Sequence, residues 1–223
     1  MTTSIFKPDQ AINQIKPYLS CNPTIIEAGA FDGRDTQRLA QTWPNGIIHA
    51  FEPVPELFER LKKNTAHLPN VHCYQLALSD KNGIATFYVS EKPHKPGISS
   101  QAGSLRKPKE RLSRSPIHFP YTIEVETITL ASWAHIHNIS HIDFLWLDMQ
   151  GHELNVLKAA NFLLPGISII YTEVGFIEAY DQQPSLEMIK NWAESHNFDE
   201  IGRTFANQTD WFFGNILLVN SRK

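Results

Sequence analysis

Short apolar runs that stop at an acid recur along this chain. Ile25 and Ile26 run into Glu27 in the stretch IIEAGAFDG, and IIHAF runs into Glu52. DFLWLD ends at Asp148, and ISIIYTEV carries Glu173 near its end. Continuous apolar runs of this length read as strands buried on both faces, the habit of a parallel sheet. Between them the spacing turns helical. Residues 35–43 stop at Pro44, and Pro55–Thr65 has its proline in the first turn, where the missing N–H costs little. Residues 153–160 follow Asp148, and residues 185–196 open at Ser185 as N-cap. Residues 71–76 read as a further strand, and 198–203 with 212–219 as an antiparallel pair at one sheet edge. The alternation predicts an α/β fold with a largely parallel sheet, over a single domain of residues 1–223 opened by a helical segment, 1–22.

The rhythm breaks once. After the turn Asp80-Lys81-Asn82-Gly83 and a β-rich ATFYVS, residues 91–120 are rich in Pro, Gly, Ser, Lys and Arg. A structureless stretch of that length is uncommon inside a compact domain, and predicts a lid-like insertion or binding loop. Residues 91–116 hold Lys92, Lys95, Arg106, Lys107, Lys109, Arg111 and Arg114 against two glutamates. Arginine forks suit phosphate, so the lid reading points to an anionic or sugar-linked acceptor; a solvated surface loop is the plainer alternative.

Composition narrows the class. Of the 223 residues, 42% are hydrophobic and 19% charged, enough for a full core. A net charge of -3 argues against a globally basic nucleic-acid binder, so nucleic acid is not the expected partner. Cys21 and Cys73 form no CxxC pair, there is no apolar signal core, and no run approaches a membrane span. Reduced cysteines and a cytoplasmic location are expected. Oligomeric state is not legible.

In open α/β sheets ligands bind beyond the carboxyl ends of the strands, at the switch point. The turn after the first strand, E-A-G-A-F-D-G, has glycines four apart, so it lacks the middle glycine of the dinucleotide fingerprint. Glycine lets backbone approach a ligand closely. The pattern fits a cofactor without a pyrophosphate, such as S-adenosylmethionine; a tight turn with no ligand is the competing reading. Glu52, about 20 residues beyond the loop, is placed to accept both ribose hydroxyls. Ser79 and Asp80 after the third strand can meet an adenine amino group, or form a plain Ser or Asx turn.

The stretches IIEAGAFDGRDT, HAFEPVPELFERLKKN, LALSDKNGIATFYV and HIDFLWLDMQGHELNVLKAA followed by IIYTEV resemble the FkbM family of class I S-adenosylmethionine-dependent methyltransferases. They run from about residue 24 to 175 in that family's order. The resemblance implies a Rossmann-like, seven-stranded, mostly parallel sheet with helices on both faces and one antiparallel edge strand. It implies methyl transfer to a hydroxyl of a sugar, glycolipid or polyketide. Glu27, Gly29, Asp32 and Gly33, with Ala30 among them, would face the methionine part. Glu52 with Pro53 would hold the ribose, Ser79 and Asp80 would lie near adenine, and Thr36 would touch the cofactor carboxylate. Three positions depart from the family's habit: Glu27 where Asp is usual, Asp32 where Asn is frequent, and Gln150 where Glu is frequent.

An alcohol needs a positioned base, or a metal, to become a nucleophile at neutral pH. Asp148, His152 and Glu173 are the candidate catalytic residues, expected to converge above the sheet. One reading makes Asp148 or His152 the base. The other has Asp148 and Glu173 hold Mg²⁺. Glu153 is expected to serve its helix N-terminus. His135, His137 and His141 look like a metal cluster, but they lie between a helix and a strand, and His135 and His137 are not spaced to share a helix face. Trp211, Phe212 and Phe213 read as packing, with Asp210 within reach of the pocket. The rival functions are a nucleic-acid methyltransferase of the same fold, an NAD-dependent enzyme, and a non-catalytic cofactor-binding protein.

Overall fold

The computed structural model describes residues 3–160, 162–206 and 212–222. In chain order, β1 (Ser4–Ile5), a 3₁₀ turn, α1 (Ala11–Ile15) and a second 3₁₀ turn lead to β2 (Thr24–Ala28), α2 (Arg34–Thr42), β3 (Ile47–Phe51), α3 (Pro55–Thr65) and β4 (Val71–Tyr74). A second sheet follows from β5 (Ala77–Leu78), β6 (Gly83–Lys92), β7 (Lys95–Ser99) and, after α4 (Arg111–Arg114), β8 (His118–Ile128). The first sheet resumes through α5 (Leu130–Ile136), β9 (Phe144–Leu147), α6 (Glu153–Ala159), β10 (Ile169–Gly175), α7 (Leu186–Ser195), β11 (Phe198–Arg203) and β12 (Phe213–Asn220).

The main sheet runs β1-β11-β12-β10-β9-β2-β3-β4, and every neighbouring pair is parallel except those made by β12. Two expectations change here. The sheet has eight strands, because the N-terminal Ser4–Ile5 adds itself to β11. The reversed strand β12 is not at the edge: it lies between β10 and β11 and hydrogen-bonds both.

Consecutive residues of the buried strands feed opposite faces. Ile26, Ala28, Leu145, Leu147 and Ile170 pack with Trp133, Leu157 and Trp192 from α5, α6 and α7. Ile25, Ile48, Phe144, Trp146 and Ile169 pack with Ile15, Leu39 and Trp43 on the α1 and α2 side. Burial on both faces is why these strands read as unbroken apolar runs.

Residues 91–120 are not a structureless lid. Lys95–Ser99 pairs with β6, and His118–Ile128 pairs with β6 along most of its length. The order of the second sheet is β5-β8-β6-β7. Its core of Phe87, Val89 and Val125 packs on Val54 and Leu57 at the start of α3. The segment between β7 and β8 is pinned to the main body. Ser104 Oγ donates to the Gln150 carbonyl at 2.9 Å, Tyr180 Oη to the Ala102 carbonyl at 2.7 Å, and Arg106 Nε to the Gly151 carbonyl at 2.6 Å.

Candidate active site

Strand register builds the site. Phe51, Ala28, Leu147 and Thr172 stand side by side across β3, β2, β9 and β10. The next residue of each is therefore Glu52, Gly29, Asp148 and Glu173, one row at the carboxyl edge of the sheet. The sheet's order reverses between β2 and β9, which is the switch point where such folds bind ligands. A cleft of about 1010 Å³, including its open mouth, lies there. Its walls include Glu27, Asp32, Glu52, Asp148 and His152, with Phe87, Ser90 and Leu105 from the second sheet. That size suits a cofactor-sized small molecule.

Glu52 is buried, with Oε2 accepting from Phe31 N–H at 3.0 Å and Oε1 from Val54 N–H at 2.9 Å. Burial pushes its carboxyl up to about 8, against the pull of those two donors. Each oxygen keeps a second lone pair for a hydroxyl. Glu27 is also pushed to about 8 by burial, with the Thr36 hydroxyl opposing and the carboxyls of Asp35 and Asp148 adding to the rise. Glu27 Oε2 and Thr36 Oγ1 are nonetheless buried without a partner in hydrogen-bond geometry among the described residues. Orphaned buried polar atoms at a cleft are what a missing polar ligand leaves behind.

The glycines also have a reason within the fold. A Cβ on Gly29 would lie 1.8 Å from the Asp148 carbonyl oxygen, and one on Gly33 would lie 2.9 Å from Leu61 Cδ1. Both have φ near +80°. Both positions are bare so that the loop can take this left-handed backbone and fit against β9 and α3. Gly33, Thr36, Ser79, Asp80 and Glu173 do not line the cleft, whereas Gly29, Ala30 and Pro53 do.

The three expected catalytic residues do not converge as one group. Asp148 is exposed towards the cleft, and the surrounding protein raises its carboxyl above the usual range. Gln150 Nε2 donates to Asp148 Oδ1 at 2.8 Å and to Glu173 Oε2 at 3.1 Å, joining the two acids. Burial, and then the neighbouring Asp148 and Glu153, raise Glu173 well above the carboxylate range. His152 turns the other way. Its Nε2 lies 3.0 Å from Ser79 Oγ, which donates to Asp80 Oδ1 at 3.1 Å. Since the serine proton is committed, Nε2 carries the hydrogen and Nδ1 is the bare nitrogen, buried without a partner among the described residues. Burial, followed by the Arg106 charge, lowers His152 to about 4, which makes it a poor proton acceptor.

The Mg²⁺ reading does not fit the donor set. An amide N–H donor lies between the carboxyls of Asp148 and Glu173, and it would face any cation bound there. Glu153 behaves as expected, with Oε1 accepting from Met149 and Gly151 N–H at 2.7 and 3.2 Å. His141 pairs with Asp143 at 2.8 Å, and His137 packs on Tyr74 and Trp133. No cluster of three metal-ligating side chains occurs among the described residues. Phe213 opens β12, while Asp210 and Trp211 lie outside the described residues. Two features had no usable signal in the sequence: the Gln150 bridge, and Tyr180, whose hydroxyl sits 3.1 Å from Gln150 Oε1.

A mostly parallel sheet with one reversed strand, and acids along its carboxyl edge at the switch point, is the arrangement of a Rossmann-like S-adenosylmethionine-dependent methyltransferase. Residues 27–200 match the Methyltransferase FkbM domain, and the chain belongs to that family. It is 31% identical to the 2-O-methyltransferase NoeI of Sinorhizobium fredii over 202 residues, covering 90% of this chain and 81% of that one. It is 27% identical to methyltransferase sdnD of Sordaria araneosa, over 64% of this chain and 62% of that one. In fold it is similar to an rRNA methylase from Streptococcus thermophilus, with TM-score 0.55, 10% identity, and 98% and 99% of the two chains covered. It is also similar to magnesium protoporphyrin IX methyltransferase from Synechocystis, with TM-score 0.53, 10% identity, and 96% and 77% covered. No helix among the described residues is long and apolar enough to cross a membrane.

Proposed function

We propose that this chain transfers a methyl group from S-adenosylmethionine to a hydroxyl of a sugar, glycolipid or polyketide-type small molecule, with Asp148 as the general base. The observation that carries the reading is the row Glu52, Gly29, Asp148 at the switch point, with one cleft running along it. The similarity to a 2-O-methyltransferase supports oxygen as the methyl acceptor.

The residues present fit the cofactor. Glu52 would hold the ribose hydroxyls with its two free lone pairs, while Phe31 and Val54 N–H keep the carboxyl in place. The Glu27 carboxyl, which lines the cleft, would meet the amino-acid end, with the Thr36 hydroxyl acting on it from the core side. Leu76, Ala77 and Leu78 would cover the adenine, with His152 behind them locking Ser79 and Asp80. When bound, the cofactor supplies a sulfonium methyl with a very good leaving group.

Asp148 then has two tasks. It aligns the acceptor hydroxyl, and it takes the hydroxyl proton as the oxygen–carbon bond forms, the carbon–sulfur bond breaks and its electron pair goes to sulfur. The upward shift of its carboxyl makes Asp148 a stronger base than an ordinary aspartate. Gln150 holds Asp148 by a single N–H and leaves its other oxygen for the acceptor.

The test is calorimetric titration of the protein with S-adenosylhomocysteine, with NAD as control. Binding of S-adenosylhomocysteine alone, weakened by Glu52→Gln, supports the reading. Binding of NAD instead, or of neither, sinks it.

A further inference from the structure

The cations between β7 and β8 are mostly spent on the fold. Arg106 donates to the carbonyls of Gly151 and Asp181 and to Asn155 Oδ1, Lys109 pairs with Glu178, and Arg114 pairs with Glu110. Three of the five cations in this segment are thereby paired or anchored.

Arg111 is different. Its guanidinium carbon lies 4.9 Å from the Phe213 ring centroid, 5.4 Å from that of Phe212 and 6.0 Å from that of Tyr180. Its Nε is buried, with no hydrogen-bond partner among the described residues. Guanidinium carries five N–H donors and no acceptor. Aromatic faces hold a cation by the ring quadrupole and consume none of those donors. Arg111 is thus fixed in place with its hydrogen-bonding capacity unspent.

One of the rings that hold it is joined by hydrogen bonds to the acids at the carboxyl edge of the sheet. Tyr180 Oη reaches Gln150 Oε1, and the Gln150 amide reaches Asp148 and Glu173. The Arg111 charge is felt at both of these carboxyls. An acceptor lying between Arg111 and Asp148 would meet a donor fork on one side and the Asp148 carboxyl on the other. An anion would be attracted by one and repelled by the other, and an ammonium would suffer the reverse. A hydroxyl both donates and accepts. Two neighbouring hydroxyls satisfy both sides together: one gives its proton to Asp148, and the next accepts from Arg111.

We propose that Arg111 is an acceptor-binding residue, and that it selects a neutral polyol whose methylated hydroxyl has an oxygen on the adjacent carbon, as on a pyranoside ring. The proposal rests on the O-methyltransferase reading above and deepens it.

The test uses full-length protein saturated with S-adenosylhomocysteine and saturation-transfer NMR. The probes are methyl α-D-glucopyranoside, methyl α-D-mannopyranoside, glucuronate and glucose 1-phosphate. The expected result is binding of the neutral pyranosides in preference to both anions, at least tenfold weaker in Arg111→Met and partly restored in Arg111→Lys. S-adenosylhomocysteine affinity should stay within twofold in both variants, which a merely structural arginine would not allow. Preference for an anion, no bound sugar, or pyranoside binding indifferent to both substitutions overturns the proposal. Failure of the wild type to bind S-adenosylhomocysteine is a separate result, and it strikes the parent reading instead.

Discussion

The two halves of the cleft are built differently. On the β2 and β3 side each acid answers to its own neighbourhood: Glu52 takes N–H groups from Phe31 and Val54, and Glu27 lines the cleft with the Thr36 hydroxyl acting on it. On the β9 and β10 side nothing stands alone. Asp148 and Glu173 share Gln150, Gln150 meets Tyr180, and Tyr180 meets both Ala102 and the ring-held Arg111. The first half is a set of independent contacts. The second is a network drawing on residues 102–213, in which moving one member moves the others. A cofactor common to a whole family can be held by local geometry. An acceptor has to be recognised by parts that meet only in the finished fold.

Gly29 joins the halves, so its substitution is the harshest test of their separation. Gly29→Ala places a Cβ at 1.8 Å from the Asp148 carbonyl, in a backbone conformation with φ near +85°. Loss of both S-adenosylhomocysteine binding and turnover is expected, with a drop in thermal midpoint of several degrees or more. A variant that binds normally would show that the loop and β9 are not rigidly docked.

The next test separates chemistry from binding. Asp148→Asn should lower kcat about 10²–10⁴-fold while sparing cofactor affinity. An unchanged kcat sinks Asp148 as base. His152→Asn should act in the opposite sense, on cofactor KM and not on the pH profile of kcat.

Glu52→Gln attacks the first half alone. The new amide would set an N–H₂ against the N–H of Phe31 or of Val54, so one backbone donor loses its acceptor. An affinity loss of about ten- to a hundredfold is expected, from roughly 1–3 kcal/mol, with kcat at saturation preserved.

Smaller effects follow from protonation. Glu27 binds its proton up to about pH 8 in the folded protein and up to about 4.5 when unexposed to that environment. Between those values the native state holds more protons than the unfolded one, so stability falls as pH rises through this window. A bound ammonium favours the carboxylate and expels the proton. Titrations at pH 7 in buffers of different ionisation enthalpy should therefore show proton release, reduced in Glu27→Gln. No release in the wild type would place the ammonium elsewhere.

His49 gives the smallest effect and lies away from the cleft. Burial, with the His72 and His137 charges, lowers it from 6.5 to about 4. Protonation is resisted in the folded state, so stability falls as pH drops from about 6.5 to 4. His49→Phe should flatten that acid limb in thermal melts. An unchanged slope would assign the acid sensitivity to other groups.

Much of the first half is legible in the chain because its logic is local. An apolar run ending at an acid marks both a buried strand and the group at its tip. β3, α3 and β11 have the expected bounds, and Ser185 caps α7 by accepting from Met188 N–H. The second sheet was not legible beyond ATFYVS and YTIEVETITL, because KPGIS becomes a strand only by pairing with β6. The glycines were legible as loop residues, but their reason was not. Gly29 is bare because of an atom 119 residues away, the carbonyl of Asp148.

The pattern of apolar runs, acids and helix signals was enough by itself to determine the α/β class, the switch-point loop and the acids at the strand ends, since each depends on residues near in sequence. Only the tertiary structure decided which side each acid serves. It turned His152 to Ser79, placed Gln150 between Asp148 and Glu173, and laid Arg111 on three aromatic rings. These contacts depend on strand register and on how the second sheet docks, and spacing along a chain carries no information about distances across it.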